Sequence, residues 1–124
     1  MRLNWPSAWS RLSKVNGLKG QAGENRAAGF LESAGYRIVR RNVRLPGGEI
    51  DLICRDGDVI VFVEVKARWS TRYGNALSAV GARKRATLRR LAADYVQIVA
   101  PNAHVRFDVV AVDGERMTLH RNAF

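Results

Sequence analysis

Asp51, Glu64 and Lys66 fall close together in a stretch that otherwise reads as apolar strand, GGEIDLICRDGDVIVFVEVKAR, ending at Arg68. Two carboxylates and an amine at such spacing have a definite chemistry. The carboxylates can hold a hard divalent cation through oxygen, and the ammonium places a positive charge at the same point. Carboxylates facing each other in an apolar hairpin are unfavourable unless something cationic lies between them. A bland reading fits the hairpin equally well. Glu64 and Lys66 can be a solvated pair at a strand end, and such exposed pairs are common and weak.

The elements that must position these groups are two strands and a tight turn. Alternation puts Glu49, Asp51 and Ile53 on one face of the first strand, with Ile50, Leu52 and Cys54 on the other. In the second strand Ile60, Phe62, Glu64 and Lys66 share a face, and Val59, Val61, Val63 and Val65 share the opposite one. Asp56-Gly57-Asp58 is the turn signal. A Gly57-Asp58 loop pairs Asp56 with Val59 and sets Asp51 directly opposite Glu64. An Asp56-Gly57 loop sets Asp51 opposite Phe62, one diagonal step from Glu64. Both registers keep Asp51, Glu64 and Lys66 on one face, and a three-residue loop without a bulge would separate them.

Upstream, Gln21 to Ala34 reads as a helix stopped by Gly35, with Ala27, Ala28, Leu31 and Ala34 as its apolar stripe. Glu24 lies on that stripe. It is either a first-turn glutamate favoured by the helix dipole or a carboxylate with a task. Tyr36 to Asn42 reads as a strand, and Val43 to Gly47, with Pro46, as a turn into the hairpin. After Arg68 comes a polar loop, TRYGNA, then a long helix from Leu77 to about Ile98. Leu77, Val80, Leu88, Leu91 and Tyr95 follow one face of it, and Lys84 falls on the same line. Arg83, Arg85, Arg89 and Arg90 flank that line or point outward, offset only by Asp94. Val105 to Val112 is a near-continuous apolar strand, and Met117 to His120 a short last one. The fold class is therefore α/β, a mixed sheet flanked by helices in the order αβββαβ, with a crossover through the long helix joining parallel strands.

The chain of 124 residues suffices for one domain, residues 20–124, preceded by a basic, aromatic arm, residues 1–19, containing Trp5 and Trp9. No apolar run is long enough to span a membrane, and the start lacks the pattern of a signal peptide, so the expected location is cytoplasmic. The single cysteine, Cys54, excludes an internal disulfide and is expected to be buried. A net charge of +10 favours polyanionic partners, nucleic acid first. His104 and His120 lack ligand spacing, and Asp108 in RFDVV has no assigned role.

The succession GENRAAGFLESAGYRIVRRN, GGEIDLI, VFVEVKAR, YGNAL followed by Lys84, and RFDVVAV resembles the YraN family of small bacterial proteins from about Gly20 to Val112. That family in turn resembles the restriction-endonuclease-like fold, nearest to archaeal Holliday-junction resolvases. The resemblance implies a catalytic set of Glu24, Asp51, Glu64 and Lys66, with Asp51, Glu64 and Glu24 as ligands of Mg²⁺ or Mn²⁺. Ile50 stands where a proline often precedes the aspartate. The expected activity is metal-dependent cleavage of phosphodiester bonds in DNA, including branched DNA. Arg68, Arg72, Arg83, Lys84, Arg85, Arg89 and Arg90 would meet the nucleic-acid backbone, and a homodimer is expected by analogy. Two alternatives stay open: a non-catalytic nucleic-acid-binding adaptor in recombination or DNA uptake, and a nuclease acting on RNA or tRNA.

Overall fold

Helix α1, Gln21–Ser33, ends because Gly35 takes a positive φ of 97°. There the Tyr36 N–H donates to the Leu31 carbonyl and the Gly35 N–H to that of Glu32, the paired bonds of a Schellman ending. Tyr36 then packs with Leu31, so the turn is fixed by both hydrogen bonds and apolar contact. The structure is a computed structural model and describes residues 21–68 and 81–124. The N-terminal arm, Arg72, the TRYGNA loop and the expected start of the long helix at Leu77 lie outside the described residues.

Three strands follow α1 in an antiparallel meander: β1, Arg37–Leu45; β2, Gly48–Asp56; and β3, Val59–Arg68. Helix α2, Ala82–Val99, leads to β4, His104–Asp113, which lies parallel to β3. Strand β5, Arg116–His120, closes the sheet antiparallel to β4, giving the order β1-β2-β3-β4-β5. The expected mixed α/β sheet is thus the observed one. Its first strand is longer than the sequence suggested, because Val43 and Leu45 are buried under α2 while Arg44 between them is exposed. The turn into β2 therefore shrinks to Pro46-Gly47. Proline fixes one φ and Gly47 supplies the other at 91°.

Two cores lie on the two faces of the sheet. Ile53, Ile60 and Phe62 pack beneath Leu88, Leu91 and Tyr95 of α2. Leu52, Cys54, Val61 and Val63 pack against Ala27, Ala28 and Leu31 of α1, whereas Ala34 is exposed. Gly47 and Gly48 let α2 approach closely. A Cβ on Gly48 would stand 2.9 Å from both Thr87 and Leu91, and one on Gly47 would collide with the Arg90 guanidinium.

The first of the two hairpin registers is realised: Asp56 pairs with Val59 and Ile53 with Phe62, and Gly57 takes a φ of 60° in the two-residue loop. The alternation in β2 fails at one place. Ile50 packs on the α2 side with Ile53, away from Leu52 and Cys54. The break lies at Asp51, across from Asn42, which has a φ of 53° in the middle of β1.

Asp108 belongs to a separate polar cluster on the α1 side. It is fully buried and accepts from Tyr36 Oη at 2.6 Å, from Arg106 Nε at 2.9 Å and from the Asn122 N–H at 2.9 Å. Arg106 also reaches Asp56 at 2.9 Å. All of these bonds are internal, so the residue left without a role in the sequence is a structural hydrogen-bonder tying β4 to the end of α1 and to β2.

Candidate metal centre

The β2–β3 ladder stops at Leu52↔Val63, one pair short of Asp51 and Glu64. Beyond that point the Asp51 carboxylate takes the place of a backbone acceptor, receiving the Val65 N–H at 2.8 Å. The Asp51 and Glu64 carboxyls neighbour each other there. Glu64 is only 5% exposed, and two ammonium groups stand at its Oε1, Lys66 at 3.8 Å and Lys84 at 3.7 Å. Its other oxygen, Oε2, is buried with no hydrogen-bond partner among the described residues. From the opposite face, Glu24 of α1 meets Asp51 and Glu49, and carboxylate oxygens of these three residues lie within 4.8 Å of one another.

The electrostatics follow from burial. Desolvation is the main cause holding Asp51 above the usual carboxylate range, opposed by the Val65 N–H and by Lys84. Burial, and then the neighbouring Asp51 charge, push Glu64 up to about 7 against the pull of both lysines. Glu24 is raised by burial first and by Asp51 next, while a hydrogen bond from Asn42 opposes the shift. Three neighbouring carboxyls that all resist ionisation mark a place where a further positive charge would be favourable. The donors are oxygens, and one buried oxygen has no partner among the described residues, which suits a hard cation such as Mg²⁺ or Mn²⁺.

These groups lie within residues 23–112, the span that matches the family described as "Uncharacterised protein family UPF0102". The chain belongs to the UPF0102 family. A UPF0102 protein of Shewanella loihica is 48% identical over 106 residues, covering 86% of this chain and 93% of that one. One from Symbiobacterium thermophilum is 51% identical over 111 residues, covering 85% and 94%. One from Syntrophus aciditrophicus is 47% identical over 110 residues, covering 85% and 87%.

In this UPF0102 protein Glu24, Asp51, Glu64 and Lys66, singled out from sequence, come to one place, and Lys84 joins them from α2. Two neighbours were not singled out. Glu49 was legible in principle, since it sits two residues from Asp51 on the same strand. Asn42 gave no signal, because a strand residue with positive φ has no pattern in the sequence.

The basic residues divide. Arg83 is exposed on the first turn of α2, a turn with no acidic residue. Arg85 and Arg89 lie over the Phe124 ring at 5.8 and 5.7 Å, and Arg90 is 4.0 Å from Asp94. Arg68 ends β3, and its side chain, like the whole of Arg72, is outside the described residues. No helix among the described residues is long and apolar enough to cross a membrane.

Proposed function

We propose that this protein is a metal-dependent endonuclease that hydrolyses phosphodiester bonds in DNA. The observation that carries the reading is the meeting of Asp51, Glu64 and Lys66 where the β2–β3 ladder ends, with Glu24 and Lys84 brought to it by helices on the two faces of the sheet. The resemblance to YraN proteins, and through them to the restriction-endonuclease-like fold, selects the same residues.

Asp51, Glu24 and Glu64 would hold Mg²⁺ or Mn²⁺. Such an ion, when bound, lowers the pKa of water and offsets charge developing on a phosphate. Lys66 would orient the attacking water or stabilise the charge on the phosphate oxygens. Lys84 is 39% exposed on its side chain and able to turn from Glu64 to a phosphate. Nucleic acid would enter over the first turn of α2, where Arg83 and the helix dipole both favour an anion. Contacts of this kind read the backbone rather than the base sequence, which suits a branched or structured DNA target. Cutting two strands would call for a homodimer.

The test is cleavage of labelled four-way junction, duplex and single-stranded DNA, and of structured RNA, with Mg²⁺, Mn²⁺ or chelator. The expected result is metal-dependent cutting of DNA that is lost in Asp51→Ala and in Lys66→Ala. Tight binding without cutting under either metal, unchanged in both variants, would replace this reading by a binding module. Preferential cutting of RNA would replace the substrate.

A further inference from the structure

We propose that the groove between α2 and the first half of β4 docks an extended segment of another protein, one that alternates apolar with acidic residues and adds as a strand beside β4. The inference stands apart from the metal-dependent reading. Val105, in the groove, pairs with Ile60, four residues before Glu64 on β3, so the two places are about 13 Å apart along the sheet.

The backbone supplies the first argument. Strand β5 covers only Val109 to Asp113 of β4. The chain then leaves the edge at Asn122, which takes a φ of 52° and turns its N–H to Asp108. One more bond follows, from the Ala123 N–H to the Phe107 carbonyl at 2.7 Å, and Phe124 folds over to stack on Phe107. A strand residue points its N–H and C=O to the same edge, and alternate residues share that edge. The Phe107 carbonyl faces outward, so the Val105 N–H and C=O face outward too. Among the described residues no strand covers them, and Val105 is 38% exposed. Such an edge accepts an added strand through main-chain hydrogen bonds.

Side chains supply the second. On the α2 face, next to this edge, lies a groove of about 340 Å³. Ala92, Ala93 and Val96 of α2 form one wall, and Val105 and Phe107 of β4 the other. A strand laid beside β4 would send every second side chain into it, which selects apolar residues at alternate positions. The charge around it selects the rest. Arg89 is the one charged residue among the described residues that line the groove, and it lies over the Phe124 ring at 5.7 Å. Across the edge, on the α1 face, Arg121 lies over the Tyr36 ring at 5.5 Å. A guanidinium stacked on a ring still presents its planar fork to a carboxylate. The acids at this end of the sheet, Asp56 and Asp58, are already paired with Arg106 and Arg55. Acidic residues between and beside the apolar ones therefore complete the match. A second copy of this chain, with its net charge of +10, fits worse.

The experiment is titration of the full chain, in chelator, with a pool of fluorescein-labelled hexapeptides alternating apolar and acidic residues, and with a matched pool alternating apolar and basic ones. Anisotropy gives the affinity, and amide resonances of the labelled chain give the place. The acidic pool is expected to bind and to shift the Val105 and Phe107 amides. Ala93→Glu, which puts a charge into the groove from an exposed position, is expected to weaken that binding roughly 10–100-fold. Arg89→Glu combined with Arg121→Glu is expected to turn the preference to the basic pool. Melting curves check that each variant is folded, and either variant alone suffices for the test. Absence of saturable binding, equal binding of both pools, or wild-type affinity in the folded variants would overturn the proposal. Self-association that Ala93→Glu abolishes would overturn it in favour of a contact between copies of this chain. Duplex DNA shifting the Val105 amide where the acidic pool does not would overturn it in favour of a nucleic-acid surface.

Discussion

Replacing Glu64 by glutamine is expected to make the metal-free protein more stable at pH 8 while abolishing the proposed metal-dependent cleavage. The magnitude follows from the position of this carboxyl. It is pushed from an ordinary 4.5 up to about 7, first by burial and then by Asp51. At about 1.4 kcal/mol per pH unit, ionising it in the folded chain costs roughly 3 kcal/mol more than in the unfolded chain. A raised value means that the stabilising contribution is complete below about pH 4.5 and is lost as pH rises through about 7. At pH 8 the wild type has lost it, and the amide, which never ionises, has not. The two lysine contacts disappear in the variant, but both ammonium groups are about a third exposed and such contacts are worth little. The net gain is therefore about 1–3 kcal/mol at pH 8, equivalent to roughly 4–10 °C in melting temperature for a chain of this size. At pH 5 it shrinks to under about 1 kcal/mol. Melting curves in chelator at pH 5, 6, 7 and 8 measure it. Parallel pH profiles for the two proteins, or a variant less stable than wild type at pH 8, would refute the account of Glu64 as a strained carboxyl.

Two further outcomes concern the scaffold. Asp108→Asn leaves Arg106 without its buried carboxylate and is expected to cost about 3–5 kcal/mol in urea denaturation; Mn²⁺ affinity of the folded variant is expected to stay at the wild-type level, because the cluster shares no residue with the centre. Gly48→Ala brings a methyl to 2.9 Å from Thr87 and Leu91, so α2 must shift; a loss of about 1–3 kcal/mol by the same assay is expected.

Much of the fold was legible because periodicity and turn chemistry agreed. Asp56-Gly57-Asp58 left two β2–β3 registers open, both with Asp51, Glu64 and Lys66 on one face, and the one with the Gly57-Asp58 loop is realised. Lys84 was legible as an inward cation because it interrupts the apolar line of its helix. What the sequence hid were departures from regular backbone. Asn42 in the left-handed region breaks the ladder opposite Asp51, and Ile50 then packs on the side that alternation denies it. Pro46 made Val43–Leu45 look like a turn, although burial under α2 keeps them in the strand. The partners of the arginines were equally hidden. Which of them meet Phe124, Asp94 or Asp108 depends on contacts far apart in the chain.

The sheet order carries a consequence for the basic charge. Among the described residues strand β1 is an edge, nine residues long, and an unguarded edge of that length would recruit further strands from other molecules. It carries Arg37, Arg40, Arg41 and Arg44, and the opposite edge, β5, is only five residues long. A second chain adding to β1 in register would have to bring its own strand against four guanidinium groups. Part of what looks in the composition like affinity for polyanions is thus a guard against self-association of the sheet. The salt sensitivity of the proposed nucleic-acid binding should reflect the few cations beside the centre rather than the net charge of +10.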